Sequence, residues 1–346
     1  MPDLATPRPR KLISIVTPLY NESANVEELA RRLGAVFDLC AERYDFEVIA
    51  VENGSADDTY EKLLAVRAHD PRWKVIQLSR NFQMEGGMTA GLSAAQGDAA
   101  VIMAADLQDA PELIPRFIEK WEAGYENIYQ VISRRPDESR FRRFAAATFY
   151  RIINRVSDTP VPRNASDFRL VDRLVYRAFN RLGERNRMVR AMWGFIGFRS
   201  CGIEAERAPR HGGRSSYNFL LSVSFALRGI LSSSNVPLKI IPFLGAACAL
   251  LSFVILVGVV ARAYLYGVPF DGFGTITGLM LMLFGFLFLL LGLVSEYIGM
   301  IYHETRHRPS FIVRSAHGLA TEDLLGEPLG DGAAVPAQRS VESAGE

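Results

Sequence analysis

The chain has 346 residues, and its 39 lysines and arginines are almost balanced by 38 aspartates and glutamates. A chain of this length can bury a full core and hold more than one structural unit. The balanced charge does not by itself argue for nucleic acid as a partner, and we expect none. The three cysteines are widely separated without metal-ligand spacing, which favours reduced thiols in a cytoplasmic environment. Residues 1–11 are rich in proline and arginine and predict a flexible N-terminus rather than a signal peptide.

Apolar runs alternate with helical patterns over roughly the first 130 residues, which is typical of a mostly parallel sheet with helices on both faces, an α/β fold. The strands are predicted at Leu12–Pro18, Phe46–Val51, Lys74–Leu78 and Ala99–Ala105. Asn25, with Glu28 three residues later, predicts a capped start for the first helix. A helix rich in small residues is predicted from Gly86, packed closely on the sheet.

Polar side chains follow three of these strands at the point where each strand ends. The clusters are Tyr20–Glu22, Glu52–Ser55 and Asp106–Gln108. Because ligands of open α/β sheets bind outside the carboxyl ends of the strands, we interpret the clusters as one site. Asp106 has two interpretations. One is a metal or phosphate site, and the other is a plain turn in which Asp109 caps the helix that Pro111 opens.

Two uncharged segments, residues 240–261 and 272–295, follow the soluble part. A hydrocarbon layer of ~30 Å takes about 20 helical residues to cross, so both segments predict transmembrane helices, and a pair of buried core helices is the alternative. Basic residues flank the pair on its outer sides, which predicts both termini in the cytoplasm. Residues 218–238 predict an amphipathic segment at the membrane interface or a packed globular helix.

Eight short motifs follow one another along the chain. They read TPLYNE (17–22), VENGSADDT (51–59), LSRNFQMEGGMTAGL (78–92), MAADLQDAPELIP (103–115), SRRPDESRFRR (133–143), NASDFRLVDR (164–173), WGFIGF (193–198) and RHGGRSSYNF (210–219). Their order and spacing, over roughly residues 12–235, resemble the GT-A glycosyltransferases of family 2 that act on polyprenyl phosphates. Dolichol-phosphate mannose synthases and bactoprenol glucosyltransferases belong to that group.

The resemblance implies a division of the chain into a cytoplasmic GT-A catalytic domain and a membrane anchor. We expect the catalytic domain at 12–217, the juxtamembrane segment at 218–238, a two-helix transmembrane hairpin at 239–302 and a largely disordered cytoplasmic tail at 303–346. The expected location is the cell (inner) membrane, as a multi-pass protein in contact with the lipid bilayer. Small residues in the apolar segments suggest packing with further copies of the chain, a homo-oligomer.

The resemblance also implies a nucleotide-sugar donor, a polyprenyl phosphate acceptor, Mg²⁺ or Mn²⁺ on the donor diphosphate, and inversion at the transferred sugar. The implied donor-binding residues are Pro18, Tyr20, Glu22, Glu52, Ser55 and Asp106. The implied metal ligands are Asp106 and Gln108, and the implied catalytic residues are Asp167 and Arg169. Arg169 is also implied, with Arg134 and Arg135, in a basic lining near the phosphates. The implied phosphate-binding residues are Arg134, Arg135, Arg214 and Tyr217.

The chain departs from the family pattern at several positions. Ala104 stands for the first Asp of an Asp-Ala-Asp signature, Glu52 and Asn53 stand for the two Asp of Asp-Asp-Gly-Ser, and Met84 and Ser216 stand where lysines are common. Mg²⁺ usually takes only one or two protein carboxylates, with water and phosphate oxygens completing its shell. Asp106 alone therefore suffices if the donor diphosphate supplies ligands, and we expect weak metal binding without donor.

Other interpretations of the same residues stay open. Asp167 would merely cap a helix within FRLVDRLVYRAF, and the arginines of residues 134–143 would form a solvated face or a membrane-docking face. Trp193 and Phe195 are expected to be core or interface anchors. As whole functions, a catalytically silent nucleotide- or lipid-binding scaffold competes with the transferase. A processive polysaccharide synthase is disfavoured, because no Gln-x-x-Arg-Trp motif precedes Trp193.

Overall fold

The structure of the protein is a computed structural model that describes residues 10–132, 165–184, 189–206, 236–267 and 273–319. The predicted motifs at 133–143 and 210–219 lie outside the described residues. The same holds for most of the predicted juxtamembrane segment and most of the predicted tail.

The described residues form eight strands and eight helices. The strands are β1 Lys11–Leu19, β2 Tyr44–Glu52, β3 Trp73–Leu78, β4 Ala99–Ile102, β5 Asn127–Ile132, β6 Ala165–Asp172, β7 Ser200–Ala205 and β8 Val313–His317. The helices are α1 Val26–Cys40, α2 Thr59–His69, α3 Gln83–Ala94, α4 Ile114–Glu122, α5 Arg173–Arg181, α6 Val189–Ile196, α7 Val236–Tyr266 and α8 Phe273–Thr305. The four strands predicted from the sequence are all present.

The predicted capping of the first helix is wrong in its chemistry, although the helix begins where it was expected. Asn25 precedes α1 but its side chain makes no cap hydrogen bond. The side-chain amide of Asn25 instead donates to Oε2 of Glu22 at 2.5 Å. Glu28 pairs with Arg31 one turn later. The amide therefore serves the turn after β1 rather than the helix.

All eight strands join one sheet, in the order β7-β5-β6-β4-β1-β2-β3-β8. The central strands β4, β1, β2 and β3 are parallel neighbours, as predicted. β6 runs antiparallel to both β4 and β5, and β8 runs antiparallel to β3, so the sheet is mixed rather than mostly parallel. The carboxyl ends of β1 to β4 and the amino end of β6 therefore meet at one edge, which we call the carboxyl edge. The opposite edge is the amino edge.

Helices cover both faces of the sheet, which explains why the central strands read as continuous apolar runs. Ile13 and Ile15 of β1 point into a core shared with α1, α2 and α4. Val16 points into a second core shared with α3, α5 and α6. Both cores are closed by large buried side chains, such as Phe117 in the first and Phe179 in the second. The predicted helices on both faces are confirmed.

Small residues let α3 approach the sheet closely, as the sequence predicted. A Cβ atom on Gly87 would lie 2.8 Å from the Cβ of Pro18, and one on Gly91 would collide with Val16. Real side chains do not tolerate such contacts, so both positions require glycine. The close approach brings the first turn of α3 to the carboxyl edge, beside the turn that follows β1.

The C-terminal part contains the two longest helices, α7 and α8. In the described residues, Met282–Tyr302 within α8 is long and apolar enough to cross a membrane, with a mean hydropathy of 2.0 and 6% of it buried. The apolar stretch in α7 is shorter, Ile241–Ile255. The transmembrane helix predicted at residues 240–261 therefore stays a prediction.

The tail predicted at 303–346 is corrected up to residue 319. α8 continues to Thr305, and Val313–His317 then pairs with β3 as the edge strand β8. Its five residues, VRSAH, include three polar side chains, so the segment lacks the apolar pattern that marks a strand in sequence. Backbone pairing with an exposed sheet edge stabilises it instead. The folded unit thus includes residues beyond the apolar helix α8.

Candidate active site

The turns at the carboxyl edge hold unusual backbone conformations. Each of the four central strands is followed by a residue with positive φ: Asn21 at 54°, Gly54 at 71°, Gln83 at 64° and Leu107 at 58°. Three of these residues are not glycine, and such conformations cost free energy that the surrounding contacts must offset. Strain of this kind concentrates at functional sites. The edge predicted to bind ligands is therefore also where the fold keeps its irregular turns.

The turn after β1 is tied to the turn after β2 by reciprocal hydrogen bonds. The backbone N–H of Asn21 donates to Oγ of Ser55 at 3.0 Å, and the backbone N–H of Ala56 donates to the side-chain Oδ1 of Asn21 at 2.8 Å. Tyr20, by contrast, is 45% exposed at the rim, while Pro18 is buried beneath it. Tyr20 is therefore accessible to a ligand, whereas the Ser55 hydroxyl is engaged in holding the two turns together.

Glu22 belongs to the same turn and is half-buried. Its backbone amide donates to Oγ1 of Thr59 at 3.0 Å, and its carboxylate accepts from Asn25. These contacts fix Glu22 between the start of α1 and the start of α2. The predicted donor role of Glu22 stays a prediction, now with a defined position at the carboxyl edge.

The turn after β2 contains two of the departures from the family pattern. Glu52 is 1% exposed, and its carboxylate accepts a hydrogen bond from the Ser55 amide. Asn53 donates from Nδ2 to the Gln83 carbonyl at 2.7 Å and accepts from the Phe82 amide at 2.9 Å. Asn53 thus joins the turn after β2 to the turn after β3, a structural role that the sequence did not reveal.

Asp57 lies on the rim between these turns and is exposed. Burial acts to raise the pKa of Asp57, but hydrogen bonds from Thr59 and Ser23 outweigh it and hold the pKa below its ordinary value. The Asp57 carboxylate therefore stays ionised well into the acidic range and fastens the start of α2 to the turn after β1.

Asp106 follows β4 and is 8% exposed. One of its carboxylate oxygens accepts from the backbone N–H of Gln108 at 3.2 Å, across the positive-φ residue Leu107. Gln108 is half-buried beside it. The turn leads into a 3₁₀ turn that starts at Pro111 without any side-chain cap, so the interpretation of Asp109 as a helix cap is wrong.

β6 brings a second carboxylate to the same edge. Its antiparallel pairing with β4 sets Arg169 opposite Ile102, and Asp167 lies two residues closer to the carboxyl edge. Asp167 is half-buried within this strand. The helix cap in this segment is Asp172, which accepts from the Leu174 amide at 2.9 Å. The capping interpretation of Asp167 is therefore excluded.

Arg169 lies on the same face of β6 as Asp167, since side chains alternate along a strand. It is only 3% exposed. Its guanidinium donates to the Ser166 carbonyl at 3.1 Å and lies 5.0 Å from the ring centre of Trp193, which in turn stacks on Phe179 at 4.3 Å. The expected core role of Trp193 is confirmed, whereas Phe195 is exposed. Arg169 is thus a buried cation behind Asp167, not part of an open basic lining.

The predicted phosphate-binding residues Arg134, Arg135, Arg214 and Tyr217 lie outside the described residues. β5 ends at Ile132, also at the carboxyl edge. In the part of the chain that the structure describes, no group of three or more His, Cys, Asp and Glu side chains forms a metal cluster. The candidate metal ligands are instead one carboxylate, Asp106, and the neighbouring Gln108. That set fits Mg²⁺ or Mn²⁺ only where substrate phosphates supply further oxygens.

Comparison with known proteins identifies the family. The glycosyl transferase family 2 model matches residues 14–179. The uncharacterized glycosyltransferase YkcC of Bacillus subtilis (strain 168) is 37% identical over 311 residues, 90% of this chain and 96% of that protein. A bactoprenol glucosyl transferase of Shigella phage SfV is 32% identical over 303 residues, 88% of this chain and 98% of that protein.

A solved structure, the mannosyltransferase PcManGT from Pyrobaculum calidifontis with GDP-Man and Mn²⁺, is 16% identical. The match covers 85% of this chain and 88% of that chain, with a TM-score of 0.45, too low to bear on the ligands of this protein. The sequence relatives are decisive, because they match this chain over nearly their whole length. The chain is a glycosyltransferase and belongs to glycosyl transferase family 2.

Proposed function

We propose that the protein is a membrane-anchored, inverting glycosyltransferase that moves one sugar from a nucleotide-sugar to a polyprenyl phosphate. The observation that carries the proposal is the course of β6, which brings Asp167 to the edge where β4 delivers Asp106. Asp106 would face the donor diphosphate, and Asp167 would face the acceptor.

The lipid acceptor is supported by the relatives named bactoprenol glucosyl transferase. Their match extends over 88% of this chain, so it necessarily reaches beyond the family match at 14–179 into the apolar helices. α8, with its apolar segment Met282–Tyr302, supports a membrane anchor. We extend the anchor to a hairpin that includes α7, with both termini on the cytoplasmic side of the inner membrane.

Asp106 and Gln108 would hold the divalent ion, which would neutralise the charge on the departing diphosphate. Tyr20 is exposed at the rim of the same edge and would stack on the nucleobase. Pro18 and Glu22 lie on either side of Tyr20 in the chain, and they are buried and half-buried, respectively. Glu52 and Ser55 would shape the pocket through their turn, because both are engaged with backbone groups there.

Asp167 would act on the acceptor. A phosphate monoester has a second pKa near ~6 and is mostly dianionic at cytoplasmic pH, so it needs no strong base. Its oxygen attacks the anomeric carbon while the bond from that carbon to the diphosphate breaks, and the nucleoside diphosphate leaves with the electron pair. Asp167 would take the proton from the monoanionic fraction and orient cations near the acceptor phosphate, with Arg169 behind it.

The experiment uses membranes containing the full chain, radiolabelled nucleotide-sugars and polyprenyl phosphate. The expected result is a chloroform-soluble labelled product with one donor. Asp167→Asn is expected to lower the rate by roughly 100- to 10,000-fold with the fold intact. The matched control is Asp45→Asn, an exposed carboxylate at the amino edge, which should retain the wild-type rate.

Two results would contradict parts of the proposal. A near-normal rate for Asp167→Asn would remove Asp167 from catalysis. The absence of a lipid-linked product with every donor tested would favour the silent scaffold, an alternative that Ala104 and Met84 support. A screen of nucleotide-sugars by thermal shift with Mg²⁺ or Mn²⁺ would identify the donor.

A further inference from the structure

The segment after α8 returns to the catalytic domain. We call residues 306–319 the strap. Within it, β8 pairs antiparallel with β3, with Ala316 opposite Ile76 and Ser315 opposite Gln77. β8 is the last strand at its side of the sheet. The chain therefore reaches the sheet directly from the helix that holds the candidate membrane segment.

Side-chain contacts fasten the strap to the domain. The hydroxyl of Tyr60 lies 2.9 Å from Nε2 of His317 and 3.1 Å from Oγ of Ser315. Ser315 also lies 3.1 Å from Oε1 of Gln77 on the paired strand. Three partly buried apolar residues of the strap pack against the second core: Phe311, Val313 and Leu319. The strap is thus part of the folded domain and has both polar and apolar attachments.

The first contacts of the strap fall at the carboxyl edge. The Ser79 amide, directly after β3, donates to the Ile312 carbonyl at 2.9 Å. A Cβ atom on Gly86 would lie 3.0 Å from the Ser310 carbonyl oxygen, so the strap also touches the first turn of α3. The turn between these two points is held by Asn53. The strap is therefore connected to the turns that the proposed function assigns to the donor.

The connection between α8 and this edge is short. Thr305 ends the helix, and Ser310 already contacts the domain, which leaves five residue steps. Extended chain spans at most ~3.5 Å per residue, so the end of α8 lies within about 17 Å of Ser310, which contacts the first turn of α3. Pro309 stiffens the connection further, because its ring fixes φ. The candidate membrane segment ends at Tyr302, three residues before the end of the helix.

We propose that the strap is a positioning element that holds the carboxyl edge at a fixed short distance from the membrane end of α8. The inference rests on the proposed function, in which the acceptor phosphate lies at headgroup level. A short tether raises the effective concentration of a surface-bound partner, and a longer flexible tether lowers it by roughly the −3/2 power of length. The strap would therefore act on the use of membrane-embedded acceptor and leave the chemistry unchanged.

The test inserts a flexible Gly-Ser spacer of about eight residues between Arg308 and Pro309 of the full chain. Lengthening the tether from five to about thirteen steps predicts a roughly four-fold rise in the apparent KM for long-chain polyprenyl phosphate in vesicles, with kcat unchanged. The rate with a short, water-soluble polyprenyl phosphate should stay within two-fold of wild type. The matched control carries the same spacer after Gly330, beyond the strap, and should behave as wild type with both acceptors.

A second variant carries a protease site within the spacer and is cut after reconstitution, so that folding precedes the loss of the tether. It should show the same selective loss. An equal loss with both acceptors would mean that the strap only supports the fold, and no change with either acceptor would mean that it has no positioning role. Either result overturns the inference while the proposed function stands. A wild-type protein that uses neither acceptor would overturn the proposed function and this inference with it.

Discussion

The two edges of the sheet both hold buried carboxylates, but they use them differently. At the amino edge, Glu47 is 4% exposed and accepts from Ser14 at 2.5 Å, from Lys74 at 2.5 Å and from the Gln96 amide at 3.0 Å. At the carboxyl edge, Asp106 and Asp167 lie among turns with positive φ. A buried charge therefore does not by itself indicate a functional site. Irregular turns and the convergence of separate strands distinguish the carboxyl edge.

The largest effect on stability is expected at the amino edge, for Lys74→Met. Removing the cation leaves the Glu47 carboxylate buried without its charge partner, so the free energy of unfolding should fall by about 3–5 kcal/mol. The rate per folded molecule should not change, because the pair lies away from the carboxyl edge. Denaturant unfolding and activity of the folded fraction check both parts. Lys120→Met, which removes an exposed ammonium on α4, is the control and should unfold as wild type.

The opposite outcome is expected at the carboxyl edge for Asp106→Asn. Turnover should fall by roughly 100- to 1,000-fold, because the site loses the charge that supports the departing diphosphate. The free energy of unfolding should stay within about 1 kcal/mol of wild type, because the asparagine side chain keeps an oxygen that can accept from the backbone N–H of Gln108. Asp38→Asn, on the exposed side of α1, serves as the control. A large loss of stability with normal turnover would assign Asp106 to the fold.

A smaller effect is expected for Asn53→Asp, which restores the residue that the family pattern favours. The carboxylate cannot donate to the Gln83 carbonyl, and it places a charge at a position that is 3% exposed, so unfolding should become easier by about 1–3 kcal/mol. Metal affinity should not improve, because Asn53 is engaged with the turn after β3. Asn81→Asp is the matched control, because the new carboxylate can still accept from the backbone N–H of Gln83. Tighter metal binding by Asn53→Asp would contradict the structural role.

The smallest effect concerns acid stability and Asp57. The folded-state pKa of Asp57 lies below the ordinary value of 3.8, so its contribution is present above that value and is lost as the pH falls through the folded pKa. Asp57→Asn should therefore remove less than about 1 kcal/mol at neutral pH, because the group is exposed and screened. The difference from wild type should vanish at low pH. Unfolding midpoints across the acidic range, with Asp58→Asn as the control, check this sign.

The sequence predicted the central strands, the helices on both faces and the meeting of the three polar clusters at one edge of the sheet. Those features depend on local apolar runs and on the rule that ligands bind at the carboxyl ends of strands. Asp167 could be assigned by resemblance alone, since its arrival at the same edge requires the antiparallel course of β6. Periodicity in the sequence does not reveal which strands pair.

β8 and the roles of Asn53 and Arg169 could not be predicted. β8 is a five-residue edge strand whose pairing partner lies more than 200 residues earlier in the chain. Asn53 reads as a weakened acidic turn until its bonds to Phe82 and Gln83 are seen. Arg169 reads as a phosphate ligand until its burial against Trp193 is seen. Each depends on contacts between distant segments.

The central claim is that a single carboxylate, Asp106, seats a divalent ion at the carboxyl edge once donor phosphates are present. The direct measurement is a Mn²⁺ titration followed by electron paramagnetic resonance, with and without the nucleotide-sugar identified as donor. We expect weak binding to the protein alone, tight binding with donor, and no tightening in Asp106→Asn. Tight binding to the protein without donor, or donor-dependent binding that survives in Asp106→Asn, would contradict it.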